Sequence, residues 1–120
     1  MRLRVLIADD NESVLTALRR LCAFDCDVVG CFTDGVSLLV AGAHLAPDVV
    51  AMDLQMPGLN GLEVCRRLKA TRPQIRVVLF SADGSDALKM EASTAGADAF
   101  VSKFTLATDL IPAITGENYK

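Results

Sequence analysis

Val5-Leu6-Ile7-Ala8-Asp9-Asp10 is an apolar run of strand length that closes on two adjacent carboxylates. Two further runs end in a comparable way. Val49-Val50-Ala51-Met52-Asp53 closes on another carboxylate, and Ala99-Phe100-Val101-Ser102-Lys103 closes on an ammonium. Strands that are apolar almost throughout belong to parallel sheets covered on both faces, because neither side of such a strand meets water. If the three runs are strands of one parallel sheet, their charged ends share one edge of it. Three carboxylates and a lysine then converge on a crevice that can hold a divalent cation and a phosphoryl group.

Outward from these runs, strand and helix periods alternate five times. Leu3–Ala8 is interrupted only by Arg4, and Asn11 can cap a helix through Phe24 with Val14, Leu18, Leu21 and Cys22 on one face. Val28–Phe32 reads as the second strand. Asp34 can cap a second helix carrying Val36, Leu39 and Val40, with Pro47 marking the loop beyond. Asp48–Asp53 is the third strand. Asn60 and Glu63 have the spacing of a capping pair. They open a helix that carries Leu62, Cys65, Leu68 and Lys69 and stops before Pro73. Val77–Phe80, a helix over Asp83–Ala95 ended by Gly96, and Asp98–Ser102 follow. A short last helix is expected from about Asp109, because Pro112 is tolerable only in a first turn. Glu117–Lys120 reads as a frayed end or as the boundary of a longer chain.

The 120 residues fit one domain, taken as 1–120 with no output domain in this chain. A domain of this size buries roughly two-thirds of its unfolded surface, so it needs no covalent staple. No apolar run approaches the roughly 18 residues of a membrane span, and no signal peptide is visible. Twelve Lys and Arg against fifteen Asp and Glu leave a net charge of −3, which argues against general nucleic-acid binding. Cys22, Cys26, Cys31 and Cys65 sit among apolar neighbours and read as buried free thiols in a cytoplasmic protein. Cys22 and Cys26 could suit a metal by spacing, but no second pair accompanies them. His44, the only histidine, reads as a surface residue near a helix exit.

Strict alternation with apolar strands gives an α/β fold, a doubly wound (βα)5 flavodoxin-like sandwich whose parallel five-stranded sheet has the order 2-1-3-4-5. Ligands in such sheets bind beyond the carboxyl ends of the strands, where the winding reverses, here between the first and third strands. Asp9, Asp10 and Asp53 end those two strands. Clustered carboxylates with open positions suit Mg2+ or Mn2+. Such an ion would neutralise charge on a transferring phosphoryl group. Asp53 could itself be a nucleophile that forms an acyl phosphate. Lys103 could meet phosphoryl oxygens as a point charge, and Ser81 could offer them a hydroxyl. Each residue alone has a plainer reading: Asp9 and Asp10 as helix-dipole partners, Asp53 as a turn residue, Ser81 as a hydroxyl satisfied near Asp83, Lys103 as solvated surface. The coincidence of four strands ending in useful groups favours the joint site.

The ordered set Asp9-Asp10, Asp53-Leu54-Gln55-Met56-Pro57-Gly58-Leu59-Asn60-Gly61, Ser81-Ala82, Ala95-Gly96-Ala97-Asp98-Ala99-Phe100 and Lys103 resembles the response-regulator receiver domain of two-component signalling over essentially the whole chain. The resemblance implies Asp53 as phosphoacceptor. It also implies Asp9 and Asp10 as the acidic pair serving Mg2+ or Mn2+, with Asp10 the more direct ligand and the Gln55 backbone carbonyl completing the set. Ser81 and Phe100 match the switch pair, and Ser81 and Lys103 the phosphoryl-binding residues. The loop Gln55–Gly58 and the Ala95–Ala99 stretch are most similar to receivers that precede helix-turn-helix domains.

The implied activity is that of a phosphorelay protein. It takes a phosphoryl group from a phospho-histidine on a sensor histidine kinase or phosphotransfer protein and assists its own phosphorylation and dephosphorylation. It then switches the face made by helix four, strand five and helix five. A homodimer is possible in this reading, with no direct nucleic-acid or membrane binding. Three positions depart from the pattern: Phe104 where many relatives carry proline, Asn60 for aspartate and Ser81 for threonine. The short last helix puts the family's usual dimer surface in question. Three rivals stand beside this reading: a receiver-like docking module that is never phosphorylated, a magnesium-dependent phosphatase with an aspartyl nucleophile, and a flavodoxin-like cofactor binder. Gln55 stands where the phosphatase would need a second acid. Asp9 and Asp10 would repel the cofactor binder's phosphate unless a metal intervened.

Overall fold

Five parallel strands, β1 (Arg4–Ala8), β2 (Asp27–Phe32), β3 (Val49–Asp53), β4 (Arg76–Ser81) and β5 (Ala99–Ser102), form one sheet in the order β2-β1-β3-β4-β5. The computed structural model describes residues 2–116, so the expectation for Glu117–Lys120 falls outside the described residues. The helices are α1 (Glu12–Ala23), α2 (Gly35–Leu45), α3 (Gly61–Thr71), α4 (Asp86–Thr94) and α5 (Leu106–Thr115). The sheet order is the one expected from the sequence, and the winding reverses between β1 and β3.

Successive strand residues point to opposite faces, and the core divides accordingly. Val5, Ile7, Ala51, Val78, Phe80 and Val101 pack under α1 and α5, against Leu18, Cys22, Leu110 and Ile114. Leu6, Ala8, Val50, Met52, Val77 and Leu79 pack under α2, α3 and α4, against Leu38, Val64, Leu68 and Ala92. The continuous apolar runs are thus the signature of strands buried on both sides.

Side-chain caps fix where α1 to α4 begin. Asn11 Oδ1 accepts from the Ser13 and Val14 amides at 2.9 and 3.1 Å. Asp34 Oδ1 accepts from Ser37 N at 2.8 Å and Asn60 Oδ1 from Glu63 N at 3.0 Å. Glu63 does not complete a capping pair; its carboxylate turns to Arg66 and Arg67 at 3.2 and 3.0 Å. Helix α4 starts later than expected: Asp83 accepts from Ser85 N and Ser85 is the cap, so the helix opens at Asp86.

Three further expectations are corrected. Helix α5 begins at Leu106, so Pro112 lies past its first turn. The reason is Ser102, whose hydroxyl accepts from Phe104 N at 3.2 Å and caps a 3-10 turn over Lys103–Thr105 that feeds the helix. Burial of Leu106, Leu110, Ala113 and Ile114 holds the helix across the missing Pro112 amide. In α2, Val36 and Val40 are 51% and 55% exposed, and the inward face is Gly35, Leu38 and Gly42. A Cβ on Gly42 would stand 2.8 Å from Leu68 Cδ2, so the glycine lets α2 and α3 approach closely. Cys22, Cys26 and Cys65 are buried, but Cys31 is half-buried because β2 is an edge strand. His44 is exposed, as expected.

Candidate functional site

The ends of β1 and β3 bring Asp9, Asp10 and Asp53 together, with one oxygen of each lying within 4.8 Å of the others. Asp9 is fully buried, Asp53 nearly so, and Asp10 is exposed. The two buried carboxylates are held by their own outgoing chain. Asn11 N donates to Asp9 Oδ1 at 2.9 Å, and Gln55 N donates to Asp53 Oδ1 at 3.0 Å. Each is an aspartate bonding the amide two residues on, which turns the chain out of the strand and locks the side chain. The close seat of α3 supports the same edge. Gly61 N donates to Leu54 O at 2.8 Å, and a Cβ on Gly61 would stand 2.7 Å from the Asp53 carbonyl oxygen.

Lys103 enters from the far side. It lies directly after β5, where the strand was expected to end, in the 3-10 turn. Its Nζ donates to Asp53 Oδ2 at 2.6 Å and approaches Asp9 Oδ2 at 3.0 Å. The second contact is an ion pair without hydrogen-bond alignment, so Asp9 Oδ2 is buried with no hydrogen-bond donor among the described residues. Burial pushes the Asp9 carboxyl above its ordinary range, and the Asp53 charge adds to this, against the Asn11 amide and Lys103. For Lys103, burial acts to lower the ammonium pKa. The hydrogen bond to Asp53 and the close negative charges of Asp53 and Asp9 outweigh it and hold the group above its usual value.

This donor set suits a hard divalent cation. All ligand atoms are oxygens, two carboxylates are buried side by side, and one buried oxygen lacks a donor. Ser81 ends β4 almost fully buried, with Oγ accepting from Asp83 N at 3.0 Å. The contact with Asp83 foreseen in the plainer reading is therefore present, and it uses the oxygen while the hydroxyl proton can serve another acceptor. Phe100 pairs with Leu79 in the β4–β5 ladder, and Leu79 and Ser81 share a face. Ser81 and Phe100 thus stand diagonally on adjacent strands, on the side covered by α4. Phe100 is half-buried and lines a cleft with Lys89, Ala92, Ser93 and Ala97.

A sequence model of the response regulator receiver domain matches residues 5–115. The chain belongs to that family. This receiver domain is 37% identical over 103 residues to the response regulator MprA of Mycobacterium sp. strain KMS, covering 86% of this chain and 45% of that protein. It is 36% identical over 115 residues to the response regulator GacA of Pseudomonas viridiflava, covering 93% of this chain and 53% of that protein. The receiver domain thus spans about half the length of the curated relatives it matches. Among solved structures, the signal receiver domain of NarL from Mycobacterium tuberculosis superposes with a TM-score of 0.91 at 28% identity, over 96% of this chain and 94% of that one. No helix among the described residues is long and apolar enough to cross a membrane.

Two features of the site escaped sequence reasoning. One is the grip of Lys103 on both buried aspartates, which depends on distances between β1, β3 and the turn after β5. The other is the amide of Asn11 on Asp9. An Asp followed two residues later by a helix-capping Asn was a signal for that turn.

Proposed function

We propose that this receiver domain accepts a phosphoryl group on Asp53 from a phospho-histidine of a sensor histidine kinase or phosphotransfer protein in the cytoplasm. An Asp53 carboxylate oxygen attacks phosphorus, the phosphorus–nitrogen bond breaks, and the imidazole leaves with the bonding pair and takes up a proton. Mg2+ or Mn2+ held by Asp9, Asp10, Asp53 and the Gln55 carbonyl would neutralise charge on the transferring oxygens. Lys103, already ion-paired at the acceptor, moves its charge onto the incoming phosphoryl oxygens. Ser81 donates its hydroxyl to the same group, and Phe100 turns toward the space this leaves. The α4–β5–α5 face carries the change to a protein partner, a second copy among the possibilities. The domain is a signalling switch that promotes its own phosphotransfer and hydrolysis, without contacting nucleic acid itself.

The observation that carries this reading is the buried Asp9 oxygen without a donor beside Asp53, within reach of Lys103. That arrangement is costly as a resting structure and becomes favourable when a cation joins it. Beryllofluoride, which mimics a bound phosphoryl group, tests it. With Mg2+ it is expected to give a bound fluorine NMR signal that disappears on adding EDTA and in Asp53→Asn. A signal of equal intensity in Asp53→Asn would contradict the assignment.

A further inference from the structure

Helix α2, Gly35-Val36-Ser37-Leu38-Leu39-Val40-Ala41-Gly42-Ala43-His44-Leu45, contains no Lys, Arg, Asp or Glu. A surface helix normally presents charge to water, and one that is apolar all round is normally covered. Here Val36 and Val40 are more than half exposed, and Leu45 is also exposed. Beside them, an apolar groove of about 400 Å³ runs between α2 and α3, lined by Leu39, Ala43, Arg67, Leu68, Ala70 and Thr71. An exposed apolar patch continuous with a groove between two helices is the form that accepts a third helix.

The charge around the groove states which helix. Arg67 lines the groove and Arg72 reaches Ala43 beside it, against the carboxylate of Glu63, which Arg67 shares with Arg66. Lys69 is turned away to Asp98 at 2.7 Å. The negative end of α2 is already covered. Arg4 donates to the Leu45 and Ala46 carbonyls at 2.7 and 3.0 Å, and Arg72 to the Ala43 carbonyl at 3.0 Å. The rim is therefore basic on a chain whose net charge is −3. A second copy docking the same face would set these arginines against each other. A concave groove also fits the ridge of a helix better than a flat bilayer.

We propose that the α2–α3 groove docks an amphipathic helix of a partner protein, with aliphatic residues along one face and carboxylates flanking them. The groove lies by the C-terminal halves of α2 and α3, at the end of the sheet away from Asp9 and Asp53. Docking is therefore independent of the state of the phosphorylation site.

The test uses the chain in isotope-labelled form and a synthetic helical peptide of about five turns with leucines on one face and glutamates on both flanks. A matched peptide carries lysines in place of the glutamates. The acidic peptide is expected to give saturable amide shifts confined to Leu39, Ala43, Ala70, Thr71 and their neighbours, with binding at least about tenfold tighter than the lysine peptide. Ala43→Glu and Arg67→Glu each weaken it about tenfold, with folding verified by circular dichroism. Both residues are exposed, and the two variants act through different chemistry, so one serves where the other is poorly folded. Asp53→Asn leaves the shifts unchanged. The proposal is overturned by no saturable shift up to ~1 mM acidic peptide, by equal binding of both peptides, or by shifts centred elsewhere. Preferential capture by phosphatidylserine vesicles, or sedimentation of the chain alone as a dimer that Ala43→Glu dissociates, would overturn it in favour of a membrane or a second copy.

Discussion

Asp9 shows what the site costs at the scale of one residue. A fully buried carboxylate with a donor on only one oxygen is a poor way to stabilise a fold. Folding raises its pKa above the ordinary 3.8, so the neutral acid is the form that folding favours. That contribution is complete below pH 3.8 and is lost as the pH rises through the folded value, so the metal-free protein bears the cost at neutral pH. Asp9→Asn keeps an oxygen for the Asn11 amide and removes the charge. Without metal at pH 7 it is expected to melt about 3–5 °C above the parent, near 1 kcal/mol. The gap should close below pH 3.8 and in excess Mg2+, which stabilises the parent by binding. A lower melting point for Asp9→Asn at every pH would show that the ionised acid is structural.

Lys103 belongs to the same scale. It is the cation already sitting on Asp53 and Asp9. Lys103→Met retains the apolar stem and removes a competitor, so calorimetric Mg2+ affinity should be unchanged or higher, while beryllofluoride binding should weaken. A large loss of Mg2+ affinity would make the lysine a support of the metal site instead. The residues themselves were readable in the sequence, because each ends an apolar run. The orphaned oxygen and the double grip of Lys103 were not, because they are fixed by side-chain reach across three strands.

At the scale of elements, β1, β3 and β4 were legible because burial on both faces leaves few polar positions to confuse the period. Helix α2 was legible as an element but not in its orientation. A helix without a charged face has little for the pattern to mark, and Leu38 flanked by Gly35 and Gly42 forms the inward side. Helix α5 was misplaced because its start depends on Ser102 capping a 3-10 turn, while Pro112 pointed to a later beginning. Pro112 leaves the Thr108 carbonyl without its helical partner, so Pro112→Ala should stabilise the chain by about 1–2 kcal/mol. This is less than the full helical penalty of proline, because the more flexible unfolded chain offsets part of it. Urea unfolding measures this; destabilisation would mean that the proline ring itself packs α5.

The switch is also an element-scale device, since Ser81 and Phe100 lie diagonally on β4 and β5. Moving a population from mostly inactive to mostly active needs roughly 3–5 kcal/mol of differential binding. One charge-assisted hydrogen bond supplies about 1.5–3 kcal/mol, so Ser81 must share the task with Lys103. With Mg2+ and beryllofluoride, amide signals along α4 and β5 should shift. In Ser81→Ala the crevice signals should still shift while those around Phe100 largely stop responding. Equal responses at Phe100 in both proteins would remove this pair from the signal path.

For the whole molecule, the sheet order decides where chemistry can occur. Winding reverses between β1 and β3, opening the edge where Asp9, Asp10 and Asp53 emerge, and the turn after β5 brings Lys103 across to them. That convergence was legible from topology before any contact was known. The central claim is that the convergence makes Asp53 a magnesium-dependent phosphoacceptor. Its most direct test is incubation with a small acyl phosphate and Mg2+, borohydride reduction of the product, and peptide mass spectrometry. The expected result is a single modified residue, Asp53, with modification abolished by EDTA and absent from Asp53→Asn. Modification at another residue, or undiminished modification in Asp53→Asn, would contradict it.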